Sequence, residues 1–351
     1  MKFFTSLLII IISFSGYTQI KEFQLPDVIV TAGRTPLTFS NLTRSVVVIG
    51  ADEIKTLPVT SLQELLQYTA GIDVKQRGTE GVQSDISIRG GTFEQTLVMI
   101  DGFKLSDPQT GHHSFNLPVN VDNIDRIEIL KGQGSRSFGA NAFSGVINFI
   151  TKKQDTKKIF AQALGGQHGL FDLSLNTSYS FAGLNNHVSL SKKKSDGYRH
   201  NTGFDAVNFT YNSFLNLGNS KLNFLFGYND KEFGANGFYA SDFPNQWEQT
   251  TTKLLGAGGE FGNELFSLSP KFYWRRNDDR FLLNYENPSF YENNHQTDVF
   301  GFEIQSSVTT SFGVTAFGGE FTKDEINSNN LGNHSRENKG LFAELELLQH
   351  S

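Results

Sequence analysis

Phe171-Asp172-Leu173-Ser174-Leu175-Asn176-Thr177-Ser178-Tyr179-Ser180-Phe181 decides the fold. Apolar side chains occupy 171, 173, 175, 179 and 181, and polar ones stand at 172, 174, 176, 178 and 180. A strict period of two gives a strand with one oily face and one wet face. The same pattern returns at Leu222, Phe224, Phe226 and Tyr228. It recurs at Phe266, Leu268, Phe272 and Trp274, then at Phe300, Phe302, Ile304 and Val308, and last at Leu341, Ala343, Leu345 and Leu347. From Lys158 onward, barely more than half of the chain holds 22 of the 33 Phe and 8 of the 10 Tyr, so these strands are also the aromatic ones.

Alternation alone fits either a soluble sandwich or a membrane barrel, and the connections separate the two. Tight links fall near 182–186, 217–220, 262–264 and 311–313. Longer polar stretches fall between them at Ser195–Gly203, Phe233–Gln246, Arg276–Asn294 and Asn327–Asn338. Short and long links alternate in outer-membrane barrels, with tight turns on one side and long loops on the other. A sandwich has no cause for that asymmetry, so residues 154–351 read as antiparallel transmembrane β-barrel strands. About ten strands are counted, whereas plugged transporters close at ~22. The wall is therefore expected to be incomplete within these 351 residues.

Working back toward the N-terminus, the strands give way to a mixed α/β pattern. Ser61-Leu62-Gln63-Glu64 has the spacing of a helix capping box. Leu62, Leu65 and Leu66 follow at helical spacing, and Gly71 is placed to end the helix. Short β-rich runs surround it at 45–49, 72–75, 86–88, 97–100, 126–130 and 146–150. The first residues carry Lys2 and the apolar run Leu7–Ile12, with small residues at Gly16 and Thr18. That run is too short for ~30 Å of hydrocarbon, so residues 1–18 read as a cleaved signal peptide. Net charge is only −6, which gives no basic bias toward nucleic acid. The chain contains no cysteine, which excludes disulfides, thiolate nucleophiles and Cys-ligated metal.

Four segments in succession carry a resemblance: Ser87-Ile88-Arg89-Gly90, Val98-Met99-Ile100-Asp101-Gly102, Ile127-Glu128-Ile129-Leu130-Lys131-Gly132 and Phe138–Lys152. Together they resemble the plug of TonB-dependent outer-membrane receptors, closest in flavour to the vitamin B12 receptor type. The resemblance implies a plug domain over 36–153, preceded by a tail over 19–35. In that tail Asp27, Val28, Ile29, Val30, Thr31 and Ala32 resemble the TonB box, which an inner-membrane partner takes up as an added strand. A first structural strand of the plug is the competing reading. By the same resemblance Arg89, Glu128 and Lys131 match positions that lock the plug to the barrel. The family usually carries Arg-Gly-Pro where this chain has Lys131-Gly132-Gln133, and lysine lacks the bidentate fork. The implied partners are TonB with ExbB and ExbD, an external small ligand (a metal chelate or corrinoid), and outer-membrane lipid with lipopolysaccharide. The implied activity is uptake of cobalamin, a ferric siderophore or haem. A passive porin or an adhesin is the alternative, and the location is the Gram-negative outer membrane.

Plug apices of this family face the ligand, so Gln109, His112 and His113 are expected contacts; a loop merely packed beneath the barrel rim is the competing reading. Phe238, Tyr239 and Tyr291, in long loops, are expected to join them. Adjacent histidines seldom serve one metal without further ligands, so no metal is assigned. Asp196, Asp230, Asp242, Asp278 and Asp279 fall in or near expected loops and read as solvated carboxylates, with calcium binding, which the resemblance to cobalamin receptors implies for such loops, as the alternative. Lys192-Lys193-Lys194 reads as a solvated run at a loop base. No P-loop, G-x-S-x-G, HExxH or dinucleotide fingerprint is present, so no catalytic residue or cofactor is assigned.

Overall fold

The computed structural model describes residues 29–30, 37–38, 45–78, 80–153 and 158–347. The expected signal peptide lies outside these, as do Asp27, Val28, Thr31 and Ala32. Two short strands, β1 (Ile29–Val30) and β2 (Leu37–Thr38), pair antiparallel with Ile29 opposite Thr38.

The next elements are β3 (Val46–Gly50), α1 (Ala51–Thr56), α2 (Leu62–Gln67), β4 (Ile72–Arg77), β5 (Gln83–Ile88), β6 (Thr96–Ile100), β7 (Phe103–Lys104), β8 (Ile124–Lys131), α3 (Ser135–Phe138) and β9 (Gly145–Thr151). Five strands form one sheet in the order β3-β8-β9-β6-β7, with β6 parallel to β9 and every other pair antiparallel. Every residue of β6 and β9 is buried, as both-face coverage of central strands requires. Val98 and Ile100 pack into one apolar cluster while Leu97 and Met99 pack into the other. At Asp101-Gly102 both residues have positive φ, +50° and +79°, and Ile100 pairs with Phe103. That is a two-residue type I′ hairpin, the turn for which Asp-Gly is favoured.

Helix α2 starts as its sequence requires, with the Ser61 hydroxyl accepting from the Glu64 N–H at 3.2 Å. The Glu64 carboxylate, however, reaches past the cap to the Thr60 N–H at 2.8 Å. Gly71 does not end this helix. Tyr68 caps it, and Gly71, at φ +79°, turns the chain into β4.

Ten strands then follow in a plain antiparallel meander: β10 (Lys158–Gly165), β11 (Phe171–Phe181), β12 (Leu184–Ser195), β13 (Phe204–Leu217), β14 (Ser220–Gly234), β15 (Trp247–Gly262), β16 (Phe266–Leu282), β17 (Glu292–Thr310), β18 (Gly313–Ser328) and β19 (Gly332–Leu347). Among the described residues, β10 and β19 each have one partner. The two faces are inverted relative to a soluble sheet. Leu173, Leu175, Phe302 and Ile304 are exposed, while Ser189, Thr210, Asn212, Thr250, Thr252, Asn277 and Thr297 are fully buried. Polar residues line an interior filled by the preceding sheet, and apolar ones face outward, as a lipid-facing wall requires.

Apolar residues interrupt that polar lining in places. Leu225, Leu254, Tyr273 and Val299, one from each strand β14 to β17, pack into the inner domain's main apolar cluster beside Phe103 and Phe149. Glycine makes room for the inner domain at two wall positions. A Cβ at Gly256 would lie 2.5 Å from the Phe103 ring, and one at Gly227 would lie 2.5 Å from Pro118.

The tight turns fall where expected, but two expected loops contract. The stretch 327–338 is largely strand, because β18 and β19 pair in register with Asn327 opposite Asn333. Likewise β16 runs on to Leu282 and β17 begins at Glu292, with Arg276 bridging to Asp298 at 2.8 Å and Arg280 to Glu292 at 2.8 Å. Asp230, Asp278 and Asp279 consequently lie in strands, not loops. Lys192, Lys193 and Lys194 lie at the end of β12, where Lys192 pairs with Asp205 and Lys193 reaches Glu80 of the inner domain.

Candidate functional site: the junction of the inner domain with the wall

The junction is built from Asp107 upward. Its Oδ1 accepts the N–H groups of Gln109 and Thr110 at 2.9 and 3.4 Å, an Asx turn that folds 107–110 back on itself. Thr110 then caps the 3-10 turn Gly111–Phe115, accepting from the His112 N–H at 3.4 Å. This reversal presents Asp107 and His113 to the same side of the wall.

The wall answers with side chains of one parity. Thr250, Asp279 and His295 lie opposite one another across β15, β16 and β17; Thr252, Asn277 and Thr297 form the next row, and Leu254, Arg275 and Val299 the third. Arg275 and Asp107 meet at 2.7 Å with both side chains wholly buried. Arg275 also donates to the His113 carbonyl at 2.9 Å, and Thr297 donates to Asp107 at 3.2 Å. His113 Nε2 lies 3.0 Å from Glu248 and its Nδ1 3.2 Å from Asn277. Burial works to raise the Asp107 carboxyl, but the Arg275 guanidinium outweighs it, helped by His113 and the Gln109 N–H, and holds Asp107 below the usual carboxylate range. Burial works to lower His113, but the surrounding carboxylates Asp279, Glu248 and Asp107 prevail and raise it above an ordinary imidazole.

A second chain of contacts reaches the loop 235–246. The Tyr239 hydroxyl donates to Glu248 at 2.5 Å and accepts from Gln83 of β5 at 2.6 Å. Arg77 of β4 donates to the Phe238 carbonyl. Asp85 lies 2.5 Å from His112 Nδ1, and the His112 ring stacks on Phe93 at 4.4 Å. This loop is therefore fastened to the β4–β5 hairpin beneath it.

Of the residues expected to meet a ligand, the structure gathers five. Gln109 donates to Asp279 at 3.2 Å, and His112, His113, Phe238 and Tyr239 belong to the contacts above. His113 is 3% exposed with both ring nitrogens engaged, so it faces the wall, not the exterior. Tyr291 is not part of this group; its hydroxyl accepts from Asn330 at 3.0 Å. Among the three expected locking residues, Arg89 donates to Ser45 at 3.3 Å and Lys131 to the Ala70 carbonyl, both within the inner domain. Glu128, fully buried, is bound by Arg126 of its own strand at 2.8 Å. Sequence reasoning missed the wall partners Arg275, Asn277, Glu248 and Glu320, the last of which receives Lys104 at 2.6 Å. The signal was present: Tyr273, Arg275, Asn277 and Asp279 share one parity, opposite to Phe272 and Trp274.

Residues 38–146 match the family model of the TonB-dependent receptor plug domain. Over these residues the chain carries a TonB-dependent receptor plug domain. It is 28% identical over 249 residues to the vitamin B12 transporter BtuB of Vibrio vulnificus strain CMCP6, covering 70% of this chain and 39% of that protein. Its fold is similar to the siderophore receptor PiuA of Acinetobacter baumannii, with TM-score 0.68, 13% identity, and coverage of 92% of this chain and 55% of that one. It is also similar to the ferric citrate transporter FecA in its unliganded form, with TM-score 0.68, 16% identity, and coverage of 89% and 51%. The chain thus spans about two fifths to half the length of these proteins. In the terms of this family, the inner domain is the plug and the meander is the barrel wall.

Proposed function

We propose that this chain is the plug and adjoining wall of a receptor that draws a scarce external ligand across the bacterial outer membrane, energised by TonB with its ExbB–ExbD motor. A signal peptide over 1–18, a TonB-box tail over 19–35, a plug over 36–153 and wall strands over 154–351 are the parts of that reading. The observation that carries it is a plug seated inside an outward-apolar wall by charge-assisted contacts: Asp107 with Arg275, Lys104 with Glu320, and His113 with Glu248. Such contacts can be exchanged for water and re-formed, which suits a part that must shift and return. An outer membrane pierced by pores stores no ion gradient, so accumulation against a gradient needs force delivered from outside it.

Similarity to vitamin B12 transporters favours a corrinoid among the candidate ligands, with ferric siderophores and haem as the other chemistries. Gln109, His112, Phe238 and Tyr239 would lie at or beneath the ligand surface, with outer-membrane lipid and lipopolysaccharide around the wall. Arg89, Glu128 and Lys131 would keep a locking role through the plug's own rigidity. The role is transport, not catalysis.

The experiment is a proline scan of the tail in the receptor. The two-residue pairing of Ile29–Val30 with Leu37–Thr38 is small, and isolated two-stranded pairs are marginal in water, so a partner strand can displace it. Proline removes a donor and fixes φ. Ile29→Pro should therefore preserve insertion and cold ligand binding and abolish energised uptake of labelled cobalamin. Full uptake by this variant, or uptake by the unaltered receptor in de-energised cells, would favour a passive porin.

A further inference from the structure

The sequence sets His112 and His113 side by side and offers them no metal partners. The fold separates them: His112 turns to Asp85 and Phe93, while His113 enters the wall between Glu248 and Asp279. One donor atom each from His113, Glu248 and Asp279 lie within 4.8 Å of one another, and all three residues are buried. The charges around them are unevenly answered. Asp107 has Arg275 to itself at 2.7 Å, whereas Glu248 and Asp279 share a single imidazole, with Lys231 acting electrostatically on Glu248 alone of the two. Asp279 is 6% exposed, and while its Oδ2 accepts from Gln109, its Oδ1 has no hydrogen-bond partner among the described residues. The side-chain oxygen of Gln109 is likewise buried and unpartnered. Two acceptor oxygens without donors, beside an imidazole and a second carboxylate, form a group short of positive charge.

We propose that His113, Glu248 and Asp279 form a binding site for a divalent transition-metal cation that fastens the plug to strands β15 and β16. One nitrogen and two carboxylate oxygens are a donor set of the kind zinc takes, leaving a fourth position open. Bond lengths of ~2.0–2.2 Å place the donors of a tetrahedral ion roughly 3.4 Å apart, so His113 Nε2 and Glu248, now 3.0 Å apart, would part slightly while Asp279 closes on them. The cation would bind a neutral ring whose single proton has moved from Nε2, where it now faces Glu248, to Nδ1. His113 Nδ1 would then carry the ring proton and donate to the Asn277 side-chain oxygen, once that amide turns over. Thr252, now 2.6 Å from that oxygen, can accept from the amide nitrogen after the turn. An oriented acceptor behind the liganding imidazole is what metal-bound histidines ordinarily have. A polar basin of about 510 Å³, lined by Asp279, Asp278, His295 and Gln249, offers an entry path from the outer rim.

The test uses the receptor purified in detergent, stripped with chelator and titrated with Co²⁺ and then Zn²⁺. The expected result is one equivalent of Co²⁺ giving visible d–d absorption, which one equivalent of Zn²⁺ abolishes. His113→Gln and Asp279→Asn should lose the absorption, His112→Gln should keep it, and Asn277→Leu should weaken binding about 10- to 100-fold. Retained heat-modifiability shows that a variant is folded. Should a variant not fold, Zn²⁺ protection of the unaltered plug against protease is the deciding measurement. Absence of a saturable one-equivalent site in the unaltered receptor overturns the proposal, as does undiminished binding in folded His113→Gln. No step of this test involves TonB or uptake, so its failure leaves the transport reading untouched.

Discussion

Replacing Arg275 by methionine removes the guanidinium from the most enclosed ion pair of the plug–wall junction. Asp107 would keep Thr297 at 3.2 Å, Gln109 at 2.9 Å and Thr110 at 3.4 Å, but it would lose the guanidinium it pairs with. Removing one member of a buried pair costs about 3–5 kcal/mol, because the remaining charge stays buried and uncompensated. Three surviving donors place the expected cost near the lower end, about 3 kcal/mol, or roughly a hundredfold in the docking equilibrium. Amide hydrogen exchange of the receptor reads this directly. Exchange across 107–116 should accelerate by about two powers of ten, while Ile129 and Ile147 in the plug sheet should keep their protection. Adding Asp107→Asn to Arg275→Met should recover most of the loss, since position 107 then holds no unpaired charge. An acceleration under about threefold, or a double variant as damaged as the sum of the singles, would refute the idea that this pair anchors the plug.

Two further perturbations test the wall. Gly256→Ala puts a Cβ 2.5 Å from the Phe103 ring and should lower plug stability by about 1–3 kcal/mol, seen as earlier plug melting; Phe103→Leu in the same chain should relieve it, and an unaltered melt would argue against the close approach. Phe302→Arg, on the outward face, should cost about 2–4 kcal/mol in folding into lipid vesicles. Thr252→Ser, on the inward face, should change the same measurement little, and equal penalties would contradict the assignment of faces.

The sequence made the wall legible because parity survives any tertiary context: a strand with Leu173 and Leu175 on one side and Ser174 and Asn176 on the other has no third option. The rims were misread for a related reason. Transmembrane strands need ~9–11 residues to span hydrocarbon, yet β17 has 19 and β19 has 16. The surplus projects into water, where apolar alternation is not needed, so Gly332–Lys339 carries the composition of a loop while pairing as a strand. Cross-strand ion pairs such as Arg276 with Asp298 sustain those extensions, and no short-range pattern announces them. The junction was half legible. The apex residues of the plug were identifiable from their motif, but which wall residues meet them depends on register between strands more than a hundred positions away. His113 illustrates the difficulty: its neighbour in sequence remains partly exposed, and its neighbours in space are Glu248 and Asn277.

The collar of Leu225, Leu254, Tyr273 and Val299 bears on permeability. A wide lumen lined only by hydroxyls and amides would let a continuous thread of water, and ions with it, run past a seated plug. Four apolar side chains at neighbouring positions on consecutive strands, pressed against Phe103 and Phe149, interrupt that thread along one arc of the wall. They work as a gasket, and a gasket fails by displacement, not by unfolding. A shift of the plug by a few ångströms would wet the arc and raise conductance while every strand of the plug sheet stayed paired. Leakiness to small ions should then report plug seating earlier than any loss of secondary structure.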